Sequence, residues 1–143
     1  MTTQREAILD YITTLIGTIE DATAYRSREA AFDRSEGVGI LVKPEDEQTE
    51  LRSMFGGSTV LRSLTVVVTI LARGAIPDQI ADPIIAGVHA AITADRTLGG
   101  RCALVIEHST KWDFEVADQT AVAAELRFIV RYQTSASDLT AQI

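Results

Sequence analysis

The stretch that decides the fold is residues 125–133, Glu-Leu-Arg-Phe-Ile-Val-Arg-Tyr-Gln, near the end of the chain. Apolar side chains occupy every second position, so they point to one face of an extended strand: Leu126, Phe128, Val130 and Tyr132. The intervening positions are mostly charged or carry an amide, as on a face that meets solvent. The stretch therefore predicts a β-strand with one face in the core of a sheet protein.

The residues before this strand predict a further strand followed by a turn. Apolar residues alternate over Cys102–His108, which predicts a strand that starts at Cys102. We expect a turn centred on Ser109–Lys111, with Trp112 and the residues after it on the returning arm. After the last strand, residues 135–143 are polar and are predicted to form a frayed tail.

A second strand is predicted over Val60–Arg73. Its even-numbered residues are apolar over Leu64–Ile70, and its other face mixes polar with apolar side chains. The segment is more than twice the usual strand length of about 5–6 residues. We therefore expect either a bulge within it or an extension beyond the core as a hairpin arm.

A helix is predicted over Thr3–Glu20. Thr3 and Glu6 have the spacing of a capping box, in which each side chain accepts a hydrogen bond from a main-chain N–H of the first turn. The apolar residues recur at helical spacing and form one stripe: Ile8, Leu9, Ile12, Leu15, Ile16 and Ile19. This helix is expected to pack its stripe on the sheet.

The region between these elements holds the one candidate site. Ala24–Arg26 is compatible with a short strand, and Val38–Val42 predicts a strand that stops at Pro44. The acidic run Glu45–Glu50 has no apolar periodicity, which is typical of a solvated loop. The alternative is a mobile arm that becomes ordered on a partner. Its docking residues would be Glu45, Asp46, Glu47, Leu51, Met54 and Phe55.

The start of a second helix has two possible positions. Asp78 is one candidate N-cap and places Pro83 inside the helix; Asp82 is the other and makes Pro83 the first helical residue. The helix ends before Gly99–Gly100, and its apolar face is formed by Ile84, Val88, Ala91 and Ile92. This order of elements predicts one α+β domain over residues 1–143, with two helices on one face of a mostly antiparallel sheet.

Composition argues against several classes of function. The formal net charge is −7, which disfavours a surface for duplex DNA because phosphate contacts require clustered Lys and Arg. The single cysteine, Cys102, excludes an intramolecular disulfide and a cysteine-built zinc site. The longest apolar run, Leu64–Ala72, is too short for a membrane helix, and the N-terminus lacks a signal pattern, so we expect folding in the cytoplasm.

The residues that could carry chemistry have simpler explanations. Neither histidine, His89 or His108, has a second histidine or a cysteine at metal-ligand spacing. Cys102 opens an apolar strand, where a buried thiol is typical, and Asp95 falls where a helix ends. No Gly-x-Ser-x-Gly elbow is present, and the glycine pairs lack the context of a phosphate loop. We therefore predict no catalytic, cofactor-binding or metal-binding residues.

The order and spacing of these elements resemble the tail terminator family of long-tailed bacteriophages. These proteins are also called tail completion or head–tail joining proteins, and the family includes lambda minor tail protein U. The matching segments are the first helix, Arg62–Ile70, Pro77–Asp82, Ala94–Gly100 and Arg131–Thr134, and from first to last they span most of the chain.

The resemblance implies a structural virion protein without enzymatic activity or cofactor. Such proteins form a ring, typically of six subunits, that caps the tail tube, ends tube polymerisation and offers a surface for head joining. The implied partners are further copies of the chain, the tail tube protein and the head–tail connector protein, and DNA passes through the ring without specific binding. The implied location is the virion tail, after assembly in the host cytoplasm, and no membrane is involved.

Two alternatives stay open at this point. One is another virion protein, such as a head completion protein or a tail tube subunit, and a tube subunit would form long tubes by itself. The other is a small α+β enzyme or ligand-binding module, which would need a pocket with convergent polar groups.

Overall fold

The computed structural model describes residues 2–27, 37–51, 59–116 and 120–142. These residues form, in chain order, α1 (Gln4–Ile16), β1 (Ala22–Arg26), β2 (Val38–Leu51), β3 (Thr59–Arg73), α2 (Pro77–Thr93), β4 (Leu104–Val116), β5 (Thr120–Ser135) and β6 (Asp138–Gln142). The predicted α+β class is confirmed. No helix in the described ranges is long and apolar enough to cross a membrane.

The strands form one sheet built around β3 and β5, the two longest, at 15 and 16 residues. The strand order is β1-β2-β3-β5-β4, and β6 pairs with the end of β5. Only the β1–β2 pair is parallel among the described strands, so the predicted mostly antiparallel sheet is confirmed. The paired ends of β2 and β3, at Leu51 and Val60, lie beside the C-terminal end of β5, and the paired ends of β4 and β5, at Val116 and Thr120, lie at the opposite end of the sheet.

Both helices cover the same face of the sheet. The even-numbered side chains of β3 and β5 point to this face and enter one core cluster with the buried sides of α1 and α2. The buried face predicted for the last strand is confirmed by Leu126, Phe128, Val130 and Tyr132. Periodicity alone was sufficient here because a half-buried strand alternates strictly between core and solvent.

The first helix matches its prediction at the start and differs at its end. The N–H of Glu6 donates to Thr3 Oγ1 at 3.1 Å, as expected for the cap. The carboxylate of Glu6, however, accepts hydrogen bonds from Arg26 on β1 at 2.8 and 3.0 Å. The helix ends at Ile16 rather than Glu20, because Gly17, a poor helix former, occupies the C-cap.

The second helix begins earlier than either predicted cap, so both positions were wrong. Pro77 is its first residue, Ile76 occupies the N-cap, and no side chain caps the helix. Pro77 suits this place because the first helical N–H has no intrahelical partner to lose. Pro83 lies inside the helix, where the burial of Ala81 and Ile84 on either side offsets the missing hydrogen bond.

The strand predicted to stop at Pro44 continues to Leu51, and the loop interpretation of Glu45–Glu50 was wrong. The pairing of β2 with β3 shifts between Pro44 and Asp46, so Glu45 is the extra residue of a β-bulge. β1 pairs with β2 only as far as Val42, which leaves Pro44 on an open edge where an N–H donor is not required.

Two further predictions differ from the structure near the C-terminus. The turn expected at Ser109–Lys111 is absent, because β4 runs without a break from Leu104 to Val116. Its register shifts between Glu107 and Ser109, which makes His108 the extra residue of a second bulge. The tail predicted to fray over residues 135–143 contains β6, which pairs with β5 and accepts a hydrogen bond from Gln4 at the main-chain oxygen of Thr140.

Candidate functional site

The two bulges decide which side chains reach the core and which reach the surface. Before the bulge in β2, the even-numbered residues face the helices; after it, the odd-numbered residues do, so Glu47 lies in register with Leu64 on the helix side. In β4 the same change places Trp112 on the helix side, in register with Ala124. The extra residue in each strand therefore places Glu47 and Trp112 on the helix side of the sheet.

Glu47 is the centre of a charged cluster beneath the start of α1. Arg5 donates to both carboxylate oxygens at 2.6 and 3.2 Å, and Arg62 donates to Oε2 at 3.2 Å. The hydroxyl of Tyr132 donates to Oε1, and Arg62 also donates to Thr134 at 2.9 Å. The side chains of Glu47 and Arg62 are each only 12% exposed. The cluster therefore ties α1 to three strands of the sheet.

The surroundings of Glu47 stabilise its charged form. Burial by itself raises the pKa of this carboxyl, but the hydrogen bonds from Arg5 and Tyr132 and the charge of Arg5 outweigh burial, so the pKa is lowered. Burial and the neighbouring carboxylate raise the pKa of Tyr132, whose hydroxyl therefore stays a donor. The cluster thus holds one carboxylate against two guanidinium groups.

The lowered pKa predicts a loss of stability in acid that depends on Glu47. A carboxyl whose pKa is lower in the folded chain stabilises the fold above its unfolded pKa, near 4.5, and loses that contribution as the pH falls through the folded value. We expect the unfolding free energy of the natural chain to exceed that of Glu47→Gln at pH 7, and the difference to shrink as the pH falls below 4.5. Urea denaturation of both chains across this range measures it, and a constant difference would contradict the assignment.

On the other face of the sheet, the bulge residue Glu45 binds Arg127 of β5. The guanidinium donates to Glu45 at 2.9–3.2 Å and to Glu125 at 3.0 Å. Arg127 lies in register with Val67 of β3, so its side chain crosses β3 to reach Glu45 on β2. Val67 lies beneath it and is buried, although it points away from the helices. The hydrogen bond from Arg127 lowers the pKa of Glu45. Exposed ion pairs of this kind contribute about 0–1 kcal/mol, so covering Val67 is the larger effect.

Among the described residues, two of the shallow concavities on the outer face do not have the character of a ligand site. One measures about 400 Å³ and is lined mainly by polar side chains around Glu45, Arg127 and Arg131. The other, near Leu71 and Ala123, measures about 240 Å³. Pockets for small molecules are mostly apolar and of roughly 300–1,000 Å³, and neither concavity has both properties.

The end of β4 presents large apolar side chains to solvent. Trp112, Phe114 and Val116 are 48%, 53% and 83% exposed, although they share the helix-side face with the buried residues of β5. Ile76 and Ile80 at the start of α2 are also exposed, and the bond from Gly74 N–H to Thr120 O joins that region to the same end of the sheet. Trp112 is therefore not a core residue, and about half of its side chain is exposed.

The residues considered for chemistry have structural contacts instead. His89 lies 2.9 Å from Glu107 in an exposed pair, and Asp95 accepts hydrogen bonds from Thr97 and Gly99 within a turn. The buried thiol of Cys102 donates to Arg96 O at 3.4 Å, and burial raises its pKa to about 11, so it stays protonated. Among the described residues, no group of His, Cys, Asp and Glu is arranged to hold a metal ion.

The described residues among the predicted docking residues lie in different surroundings. Glu45 and Glu47 contact this chain's own arginines on opposite faces of the sheet, whereas Asp46 and Leu51 are exposed. Met54 and Phe55 lie outside the described residues. Sequence reasoning missed the partners Arg5, Arg62 and Arg127, because no pattern in the sequence reveals the register shift that brings them to β2.

No protein-family model matches the chain, and no curated protein sequence matches it. Among solved structures, a chain from the virion of a native gene transfer agent particle is similar over 84% of this chain and 84% of that chain, at 15% sequence identity and a TM-score of 0.33. Similarity at this level does not establish a shared fold.

Proposed function

We propose that this protein is a non-enzymatic tail terminator that caps a phage tail tube as a ring, most simply of six subunits. The ring ends tube polymerisation and forms the surface to which the head joins. The observation that carries the proposal is the pair of long hairpins, β2–β3 and β4–β5, which reach opposite ends of one sheet and expose large apolar side chains there. The proposed family comes from the sequence resemblance. The gene transfer agent chain is also from a virion, but its similarity to this chain is too weak to support the proposal.

The two ends of the sheet differ in chemistry, as a subunit between two different partners requires. The β2–β3 end has an acidic strand and Leu51, which is 61% exposed. The β4–β5 end has Trp112, Phe114 and Val116. Apolar anchors surrounded by charge are typical of specific protein interfaces, in which the charges set orientation. We infer that the tail tube protein and the head–tail connector protein bind at opposite ends.

We propose that only part of the docking segment contacts a partner. Glu45 and Glu47 hold β2 to the rest of the sheet through Arg127 and Arg5. Asp46 and Leu51 are then the described residues of this segment that a partner would contact, together with Met54 and Phe55 from the sequence. Glu45 and Glu47 thus hold the strand in place, and Leu51, Met54 and Phe55 would serve as apolar anchors.

The remaining parts of the proposal follow from this role. A capping ring acts by contact, so it needs no cofactor, and the protein would reside in the virion tail after assembly in the host cytoplasm. The net charge of −7 suits a ring through which DNA passes without binding. The alternatives are a head completion protein or a tube subunit.

Tail tube protein polymerised with and without this protein tests the proposal. We expect shorter tubes with a ring at one end by electron microscopy, and a mass corresponding to six subunits for the released ring. Leu51→Glu should weaken capping, whereas the control Leu104→Glu, which also changes an exposed leucine, should not. Long tubes formed by this protein alone would identify a tube subunit, and unchanged tube length would refute the capping role.

A further inference from the structure

β4 is an edge strand whose outer side is covered over only a short part of its length. The main chain of Arg96 covers its beginning, where Val105 N–H donates to Arg96 O at 2.9 Å. Beyond that point, within the described part of the chain, no strand pairs with the outer edge of β4. Residues 111–116 are exposed on both faces of the strand.

This edge lacks some of the features that usually prevent pairing with another strand, although it carries the charges of Lys111, Asp113 and Glu115. β4 contains neither proline nor glycine, and Trp112, Phe114 and Val116 favour strand structure. The bulge at His108 precedes the exposed part and does not interrupt it. A long apolar edge with unpaired main-chain groups is a template for a further strand. The remaining question is which strand fits.

The charges of β4 select a second copy of β4 in one antiparallel register. With Trp112 opposite Trp112 of the second copy, Lys111 faces Asp113 of that copy, and the two-fold axis repeats this pair. Thr110 then faces Phe114, again twice. Opposite charges placed directly across two strands stabilise their pairing, and like charges destabilise it.

The neighbouring registers and the other exposed strand are disfavoured by the same rule. Centring the pair on Lys111 or on Asp113 places that charged residue opposite itself, and centring it on Phe114 places Asp113 opposite Glu115. The open edge of β2 is acidic, with Asp46 and Glu50 exposed, and would face the acidic side chains of β4. The charges therefore favour the antiparallel pairing of β4 with β4 of a second copy, centred on Trp112.

We propose that the free protein forms a two-fold dimer by pairing the β4 edges of two copies around Trp112. The contact joins two sheets into one and buries the exposed tryptophan side chains against each other and against Phe114. A two-fold contact closes at two subunits, so it is distinct from the contacts of a ring. The dimer covers the β4–β5 end, which the proposed ring exposes to a partner, and thereby keeps free subunits from binding there early.

Sedimentation equilibrium of the full chain, with charge exchange at the contact, tests this dimer. Lys111→Asp and Asp113→Lys each create two like-charge pairs and should raise the dimer dissociation constant by about tenfold or more. The double exchange Lys111→Asp with Asp113→Lys restores opposite pairs and should return the constant to near the natural value. Lys43→Asp, an equal charge change on exposed β2, is the matched control and should leave it unchanged.

Fluorescence provides a second measure, because Trp112 is the only tryptophan in the chain. Its emission should shift to shorter wavelength as concentration rises through the dissociation constant, and the single exchanges should move that transition to higher concentration. A monomer at the highest soluble concentration would overturn the proposal. A dimer that responds equally to Lys43→Asp, or that the double exchange fails to restore, would also overturn it, because the contact would then lie elsewhere.

Discussion

Replacing Phe128 with alanine should lower the free energy of unfolding by about 3–5 kcal/mol. Phe128 lies in the middle of β5, fully buried, in register with Val66 of β3 and Glu107 of β4. Truncation removes the transfer free energy of the ring and leaves a cavity between the sheet and the helices, which two central strands cannot close by moving. Urea denaturation monitored by circular dichroism measures the change.

Ile129→Ala is the matched control for this prediction. Ile129 is the next residue of the same strand and points to the outer face, where it is only partly buried. Its truncation removes apolar contacts but opens no enclosed cavity, so it should cost clearly less than the loss at Phe128. Equal losses at the two positions would show that the core is not confined to the helix side.

Replacing Glu47 with alanine should destabilise the fold by about 3 kcal/mol, because it removes the one carboxylate that holds two arginines. Arg62 would stay largely buried without its acidic partner, close to Arg5, and the hydroxyl of Tyr132 would lose its acceptor. Breaking a buried charge pair from one side costs more than the pair contributes, since the remaining charge is desolvated. Urea denaturation at neutral pH measures the loss.

Two variants separate the charge of Glu47 from its place in the strand. Glu47→Gln keeps an acceptor for Tyr132 and Arg5 and should recover part of the stability. Glu50→Ala changes an exposed acidic residue of the same strand and should shift the free energy by less than about 0.5 kcal/mol. If Glu47→Ala were as mild as Glu50→Ala, the charged cluster would contribute nothing to the fold.

Elements with a regular period were predictable from the sequence. The stripe of α1 and the alternation of β3 and β5 repeat over several turns or pairs, so burial and periodicity agree there. The turn expected at Ser109–Lys111 failed for a different reason. Three polar residues between two apolar stretches look the same whether the chain reverses or continues as an exposed edge, and only the pairing of β4 with β5 distinguishes these cases.

The candidate docking site was predictable only in part. An acidic run beside Leu51 correctly indicated exposed residues such as Asp46, but no feature of that run distinguishes Glu47 from its neighbours. The bulge at Glu45 makes that separation, because one extra residue reverses the facing of every later side chain in β2. The three arginines that bind these glutamates come from α1, β3 and β5, at distances in sequence that no local pattern spans.

By itself, the sequence determined the α+β class, the buried faces of β3 and β5, and a charge unsuited to duplex DNA. These properties depend on composition and on local period, which the chain carries residue by residue. The tertiary structure alone decided that Glu47 is largely buried, that Glu45 and Arg127 cover Val67, and that Trp112 is exposed at an open edge. Each of these depends on strand register, and register is a relation between distant segments that is settled only when they pair.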